Sequence, residues 1–210
     1  MTTTPNPAID ARTADWPLLL VVDVEGNGQT PPDLVEIAAV PVAGGRARLD
    51  SVRTTLIRPP RPITPFATRV HQLTDRDVAG APSWEDIAPK VKADLDGAWI
   101  VAHNASTEYS VLTRHLPTWK PAGVIDTLRL ARTLVPDAPG HGLDKLIVHL
   151  GLDLTGITGQ RHRAAYDAQV TARLLLTLAA GMTFTELRAT AVPPNMPGTP
   201  EPAQEEQTLW

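Results

Sequence analysis

The chain has 210 residues, no cysteine, and 19 basic against 23 acidic side chains, for a net charge of −4. Lacking cysteine, it has no disulfide, zinc–thiolate site, iron–sulfur cluster or cysteine nucleophile. Its mild acidity excludes a wholly basic nucleic-acid coat, and 4% aromatics argue against a platform that stacks many bases.

The length suits one domain with tails. Residues 1–15 are polar, with no basic segment leading into an apolar stretch, so they read as a flexible N-terminal segment rather than a secretory signal. Residues 17–24, PLLLVVDV, form a continuous apolar run that ends at EGNG, which predicts a buried strand followed by a glycine turn. Residues 34–42 predict a second strand, Gly44-Gly45 a hairpin turn, and 46–58 a third strand. A proline-rich stretch over 59–65 leads into short helical pattern over 66–79. Ser83 with Asp86 three residues on opens a helix to about Asp96. Ala98–Ala102 predicts a short buried strand, with Asn104 capping a helix over 105–115. Val124-Ile125 predicts another strand, and helices follow over 126–134, 142–150 and 164–180. Residues 191–210 are rich in Pro, Glu and Gln and read as a disordered tail. The sum is an α/β domain over 16–190, a mixed sheet with helices on its faces. No apolar run is long enough to span a bilayer, so a soluble, cytoplasmic protein is expected.

Three groups of residues carry possible chemistry. Asp23 and Glu25, two apart on a strand, point to one face at the end of a buried strand. Two such carboxylates repel unless a cation sits between them; an acidic pair facing solvent is the plain alternative. His162 precedes a helix whose first turns carry Asp167, so both can face one cleft. A surface histidine and an ordinary helical Asp would look the same. His103 and Asn104 leave a strand end, with Glu108 one turn into the next helix. Arg161 and Arg163 flank His162 and suit phosphate, though a solvated basic loop is an equal reading.

In this order the three groups resemble the motifs of the DEDDh (DnaQ-like) 3′→5′ exonucleases, to which the proofreading exonucleases of bacterial replicative polymerases belong. VVDVEGNG matches the first motif, HNASTE at 103–108 the second and HRAAYDA at 162–168 the third, and the likeness spans about 17–180. The resemblance implies an RNase H-like fold with a mixed five-stranded sheet flanked by helices. It implies two Mg²⁺ or Mn²⁺ ions held by Asp23, Glu25, Glu108 and Asp167, and His162 as the base that deprotonates the attacking water. The single-stranded 3′ end of DNA or RNA would be held near Gly26, Asn27, His103 and Asn104. Glu108 stands where the family has Asp, Thr107 replaces its aromatic, and Gly26-Asn27-Gly28 replaces Thr-Thr-Gly. A catalytically weakened nucleic-acid-binding or scaffold domain is the alternative, marked by Glu108. A dinucleotide site at EGNG lacks the further glycine spacing. The closing Gln207-Thr208-Leu209-Trp210 resembles peptides that dock on the bacterial sliding clamp, which would bring a polymerase or clamp contact.

Overall fold

A computed structural model describes residues 11–200 of the chain. Its strands are β1 (Leu19–Gly26), β2 (Leu34–Ala43), β3 (Arg46–Ala47), β4 (Arg53–Leu56), β5 (Trp99–Ala102) and β6 (Gly123–Asp126). The helices are α1 (Ala11–Ala14), α2 (Pro65–His71), α3 (Asp75–Val78), α4 (Trp84–Leu95), α5 (Ala105–His115), α6 (Thr127–Leu134), α7 (Leu143–Leu150), α8 (Ala164–Leu178) and α9 (Phe184–Ala191).

β1 is apolar and buried on both faces over Leu19–Val22 and becomes partly exposed from Asp23 on. It pairs antiparallel with β2 and parallel with β5, and β5 pairs parallel with β6. Leu19 and Val21 face one core with α6, α8 and α9, while Leu20 and Val22 face a second core with α4 and α5. Helices thus cover both faces of a mixed sheet, the α/β arrangement expected. The carboxyl ends of β1, β5 and β6 open on the same side, where sites form in such sheets.

The third strand differs from expectation. The stretch 46–58 is broken into β3 and β4 around a 3₁₀ turn at Leu49–Ser51, and both pieces pair with β2. The sheet therefore has six strands rather than five. Pro41 explains the break. Its carbonyl accepts from Arg48 on that side of β2, and a proline has no N–H with which to continue the ladder there. Gly44 and Gly45, both at positive φ, close the β2–β3 hairpin as predicted.

The helical pattern over 66–79 is two helices, because Gln72 turns left-handed at the end of α2. α4 opens with the predicted Ser83–Asp86 capping box. α9, absent from the sequence reading, carries the same device in Thr183 and Glu186. Within the expected flexible N-terminal segment, Ala11–Ala14 form α1, and just after it the Trp16 indole N–H donates to the Met182 carbonyl. Residues 192–200, read as the start of a disordered tail, instead lie along β6. Val192 is buried, the Val124 N–H donates to Pro197 O, and Gly198 comes so close to Trp99 that a Cβ there would clash with the ring. Covering the free edge of β6 is the physical reason for this order. The clamp-like residues 207–210 lie outside the described residues. Among those described, no helix is long and apolar enough to cross a membrane.

The turn after β1 is fixed by Asn27, whose side chain is fully buried. Its Nδ2 donates to Asp33 Oδ2 (2.9 Å) and to Arg61 O (3.3 Å), while Oδ1 accepts from the Gln29 (3.1 Å) and Asp33 (2.9 Å) N–H groups. Its backbone N–H is spent on Asp33 O. Asn27 therefore has nothing left for substrate, contrary to expectation, and it is a staple of the loop. Asn27→Ala is expected to lower unfolding stability by about 2 kcal/mol, since it strands buried partners; urea denaturation checks this, and a loss under about 0.5 kcal/mol would contradict it.

Candidate active site

Asp23 and Glu25 leave the same face of β1, toward α8. A register shift between Glu25 and Gly26 bends the strand there. Ala164, Ala168, Ala172 and Ala179 of α8 and its C-terminal end are buried against this face. These small side chains let the helix lie close to β1 and β2, so that Asp167 in its first turn reaches the strand end. Carboxylate oxygens of Asp23, Glu25 and Asp167 lie within 4.8 Å of one another.

Glu108 is outside that trio but adjoins it from α5. Burial first, then the charges of Glu108, Glu25 and Asp167, push Asp23 well above the ordinary carboxylate range. Glu25 is pushed up to about 8 by burial, Asp167 and Glu36, with Arg163 pulling the other way. Glu108 is pushed up to about 8, chiefly by burial, and its Oε2 is buried with no hydrogen-bond partner. Asp167 is raised by burial and held back by His162 and Arg161.

Four mutually repelling carboxylates, one with an orphaned oxygen, form an all-oxygen donor set. Such a set suits hard divalent cations such as Mg²⁺ or Mn²⁺, and no Lys or Arg is hydrogen-bonded to any of the four among the described residues. The residues present fit the metal centre that the sequence suggested.

His162 sits at the mouth of α8 with φ 59°, an unfavourable left-handed conformation for a side-chain-bearing residue. Its backbone N–H donates to Asp167 Oδ2 at 3.1 Å. Its ring is half-buried and makes no hydrogen bond to the described residues, which leaves both nitrogens for water.

The next residue explains how this strained turn is held. Arg163 makes a bidentate pair with the buried Glu36 of β2, Nε to Oε2 and Nη2 to Oε1, both 2.9 Å. Glu36 also accepts the Ala164 N–H at 3.0 Å. Arg163 is therefore committed to protein and not to phosphate, and Arg161 is paired with Asp144. Glu36 was missed in the sequence; its signal was a single charge inside the apolar run LVEIAAV, which needs a buried partner.

Of the second motif, Asn104 is exposed at the start of α5, one turn before Glu108, and His103 is taken up by other partners. The His103 Nε2–H donates to His141 O (2.8 Å) and Nδ1 lies 3.0 Å from the Thr127 hydroxyl. Both nitrogens are used in joining β5 to the following loops, so the expected substrate contact is corrected to a structural one. Asn104 caps α5 in a left-handed conformation. Its side chain donates to Thr107 Oγ1 (3.0 Å) and accepts from the Ser106 hydroxyl (3.4 Å) rather than from a helix backbone N–H, and its N–H donates to Asp126 Oδ1 at 3.0 Å. Asp126, also missed, caps α6 through the same oxygen; a lone Asp between a strand and a helix was the available signal. Gly26 stands beside Glu25, with its carbonyl accepting from the buried His71 Nε2–H at 3.3 Å. An open groove of roughly 270 Å³ runs from Glu25 past Gly26, Gly28 and His71 to Thr107.

A family model described as Exonuclease matches residues 20–175. Exodeoxyribonuclease 10 of Escherichia coli K12 is 35% identical over 162 residues, 77% of this chain and 68% of that protein. A DNA polymerase III subunit epsilon-like protein of Rhodobacter capsulatus is 34% identical over 179 residues, and there the match spans 80% of this chain but only 25% of the relative. A solved structure of exonuclease X in complex with 5′-overhanging duplex DNA superposes with a TM-score of 0.68 at 34% identity, covering 80% of this chain and 96% of that one.

The raised carboxylates set a sign for stability. A carboxylate that binds its proton more tightly folded than unfolded costs nothing below the unfolded value, and its penalty grows as pH rises through the folded one. In EDTA, Glu25→Gln is therefore expected to melt like the native chain near pH 5 and increasingly above it toward pH 8, where Glu25 ionises. Saturating Mn²⁺ reverses the advantage. A difference in melting temperature that stays flat across this range would contradict the assignment.

Proposed function

Because the chain belongs to the exonuclease family whose model matches residues 20–175, we propose that it is a metal-dependent 3′→5′ exonuclease. It hydrolyses the terminal phosphodiester of a single-stranded 3′ end and releases nucleoside 5′-monophosphates. The observation that carries this reading is the buried group of Asp23, Glu25 and Asp167 beside the orphaned Glu108 oxygen. Such repulsion is relieved by protons while the site is empty and by a bound cation when it is filled.

Asp23, Glu25, Glu108 and Asp167 would hold two Mg²⁺ or Mn²⁺ ions. Bound there, the ions supply water activation and neutralise charge that develops on the phosphate and the leaving 3′-oxygen. His162 takes the proton from the attacking water through its unengaged ring, at a distance set by the Arg163–Glu36 clamp. The longer Glu108 is compatible with this, because its buried Oε2 has no competing partner. Asn104, exposed at the start of α5, and Gly26 border the place of the terminal nucleotide, whose base and sugar occupy the groove beside Glu25. The domain is 16–190, extended by the strap over 192–200.

Exodeoxyribonuclease 10 and the DNA-bound exonuclease X favour DNA over RNA. The epsilon-like relative favours a setting in replication or repair, in the cytoplasm, with a polymerase as partner. No observation favours a merely binding scaffold: the third motif is complete, and its histidine is free.

The test is cleavage of 5′-labelled single-stranded DNA and RNA in Mn²⁺ by the native chain and two variants. Asp23→Ala is expected to abolish product, and His162→Ala to slow turnover by about 10²–10⁴-fold, the usual worth of a general base. Equal product from all three would contradict the proposal.

A further inference from the structure

His162 is delivered by the loop between α7 and α8, and that loop has little of its own to hold it. From Thr155 to Arg163 no residue joins an apolar cluster. Gly156 and Gly159 both take positive φ. The pair of Arg161 with Asp144 is exposed on both sides, where such pairs contribute little. Yet His162 itself stands at φ 59°, a conformation that persists only where the surroundings over-determine it. Its own N–H reaches Asp167 Oδ2, a bond that a displaced turn would lose. The Arg163–Glu36 pair fixes the far side of the turn.

The near side is fixed from α8. Gln169 is buried there, two residues after Asp167. Its amide nitrogen donates to Thr158 O at 3.1 Å and to Ala165 O, one turn back in its own helix, at 2.8 Å. Its Oε1 accepts the Thr158 N–H at 3.4 Å. Thr158 is thus gripped through both of its backbone groups, which fixes its orientation as well as its place. One turn further along α8, Arg173 donates to Thr155 O at 2.9 Å. Thr158, Gly159 and Gln160 are exposed, so releasing them uncovers no core and their backbone meets water instead. What the buried amide holds is therefore a position.

We infer that Gln169 is a positioning residue for the reaction: it pins the chain four residues before His162 and so, together with the Arg163–Glu36 pair, sets where the His162 ring stands relative to Asp167. The inference deepens the exonuclease reading above and rests on it for the task of His162. Four residues of free chain reach up to about 13 Å, so a turn held on one side only lets the ring wander. A misplacement of about 1 Å at a reacting group costs on the order of 10²-fold in rate. Gln169 makes no hydrogen bond to any of the four carboxylates and acts through Thr158. Because Asp167 and Gln169 share one helix, the carboxylate and the anchor of the base move together, and their spacing is set by α8 rather than by the loop.

The experiment is a double-mutant cycle on the full chain: native, Gln169→Met, His162→Ala and the two together, cleaving 5′-labelled single-stranded DNA in Mn²⁺ with enzyme in excess. Methionine fills the space of the glutamine without its hydrogen bonds. Gln169→Met is expected to lower the maximal rate by about 10–10²-fold and to leave the half-saturating enzyme concentration unchanged. In the His162→Ala background the same change costs less than about twofold, because the group it positions is gone. Hydrogen exchange is expected to quicken across 155–163 and to stay native across α8, which shows that the variant is folded. Equal losses in both backgrounds, as for a residue that shapes the carboxylates or the fold, overturn the inference, and so does an unchanged rate or unchanged exchange across the loop. Faster loop exchange in Gln169→Met, with a native chain that cleaves nothing, would support Gln169 as the anchor of the His162 loop while overturning the exonuclease reading.

Discussion

The repulsion among Asp23, Glu25, Asp167 and Glu108 is the constraint around which this molecule is arranged. Each carboxylate alone prefers water, and burial raises the affinity of all four for protons, to which the charges of the neighbouring carboxylates add at Asp23 and Glu25. The fold overcomes this by delivering them from elements that are rigid for other reasons. β1 is a central strand buried on both faces, α8 is seated on it through alanines, and α5 follows a parallel strand one position away. None of the three can withdraw its carboxylate without disturbing a core.

Secondary contacts then fix the loops that ordinary packing would leave loose. The Glu36–Arg163 pair joins the strand opposite Glu25 to the turn that holds His162. Removing one partner of a buried pair leaves the other charge uncompensated, which is why the turn keeps its left-handed residue. Asp126 joins the ends of β5 and β6 by accepting from Asn104 and from the first turn of α6. His71 and His103 are both held below their ordinary values by burial. His71 thereby donates to one backbone group and accepts from another, Gly26 O and the Leu73 N–H, without adding charge near Glu25.

Much of this was legible in the sequence because it rests on local pattern. The all-apolar run before Asp23, the hairpin glycines, the Ser83 capping box and the spacing from His162 to Asp167 each reflect a rule that acts within a few residues. The misses have a different origin. Nothing near Arg163 says that its partner is Glu36, 127 residues away, and nothing near His103 says that the His141 carbonyl will occupy it. The broken third strand depended on a proline in the neighbouring strand, and the order of 192–200 on a bare edge at β6. The grip of Gln169 on Thr158 likewise follows from where α8 lies against the loop and not from the residues around it.

The central claim is that the fold compresses these carboxylates until a divalent cation replaces protons. The most direct measurement is calorimetric titration of Mn²⁺ into the chain at pH 7, repeated in buffers of different ionisation enthalpy. With Glu25 and Glu108 at about 8, binding should release on the order of one to two protons per chain, so the observed heat should change with the buffer. Heats that are identical in every buffer, or no binding at all, would contradict the account.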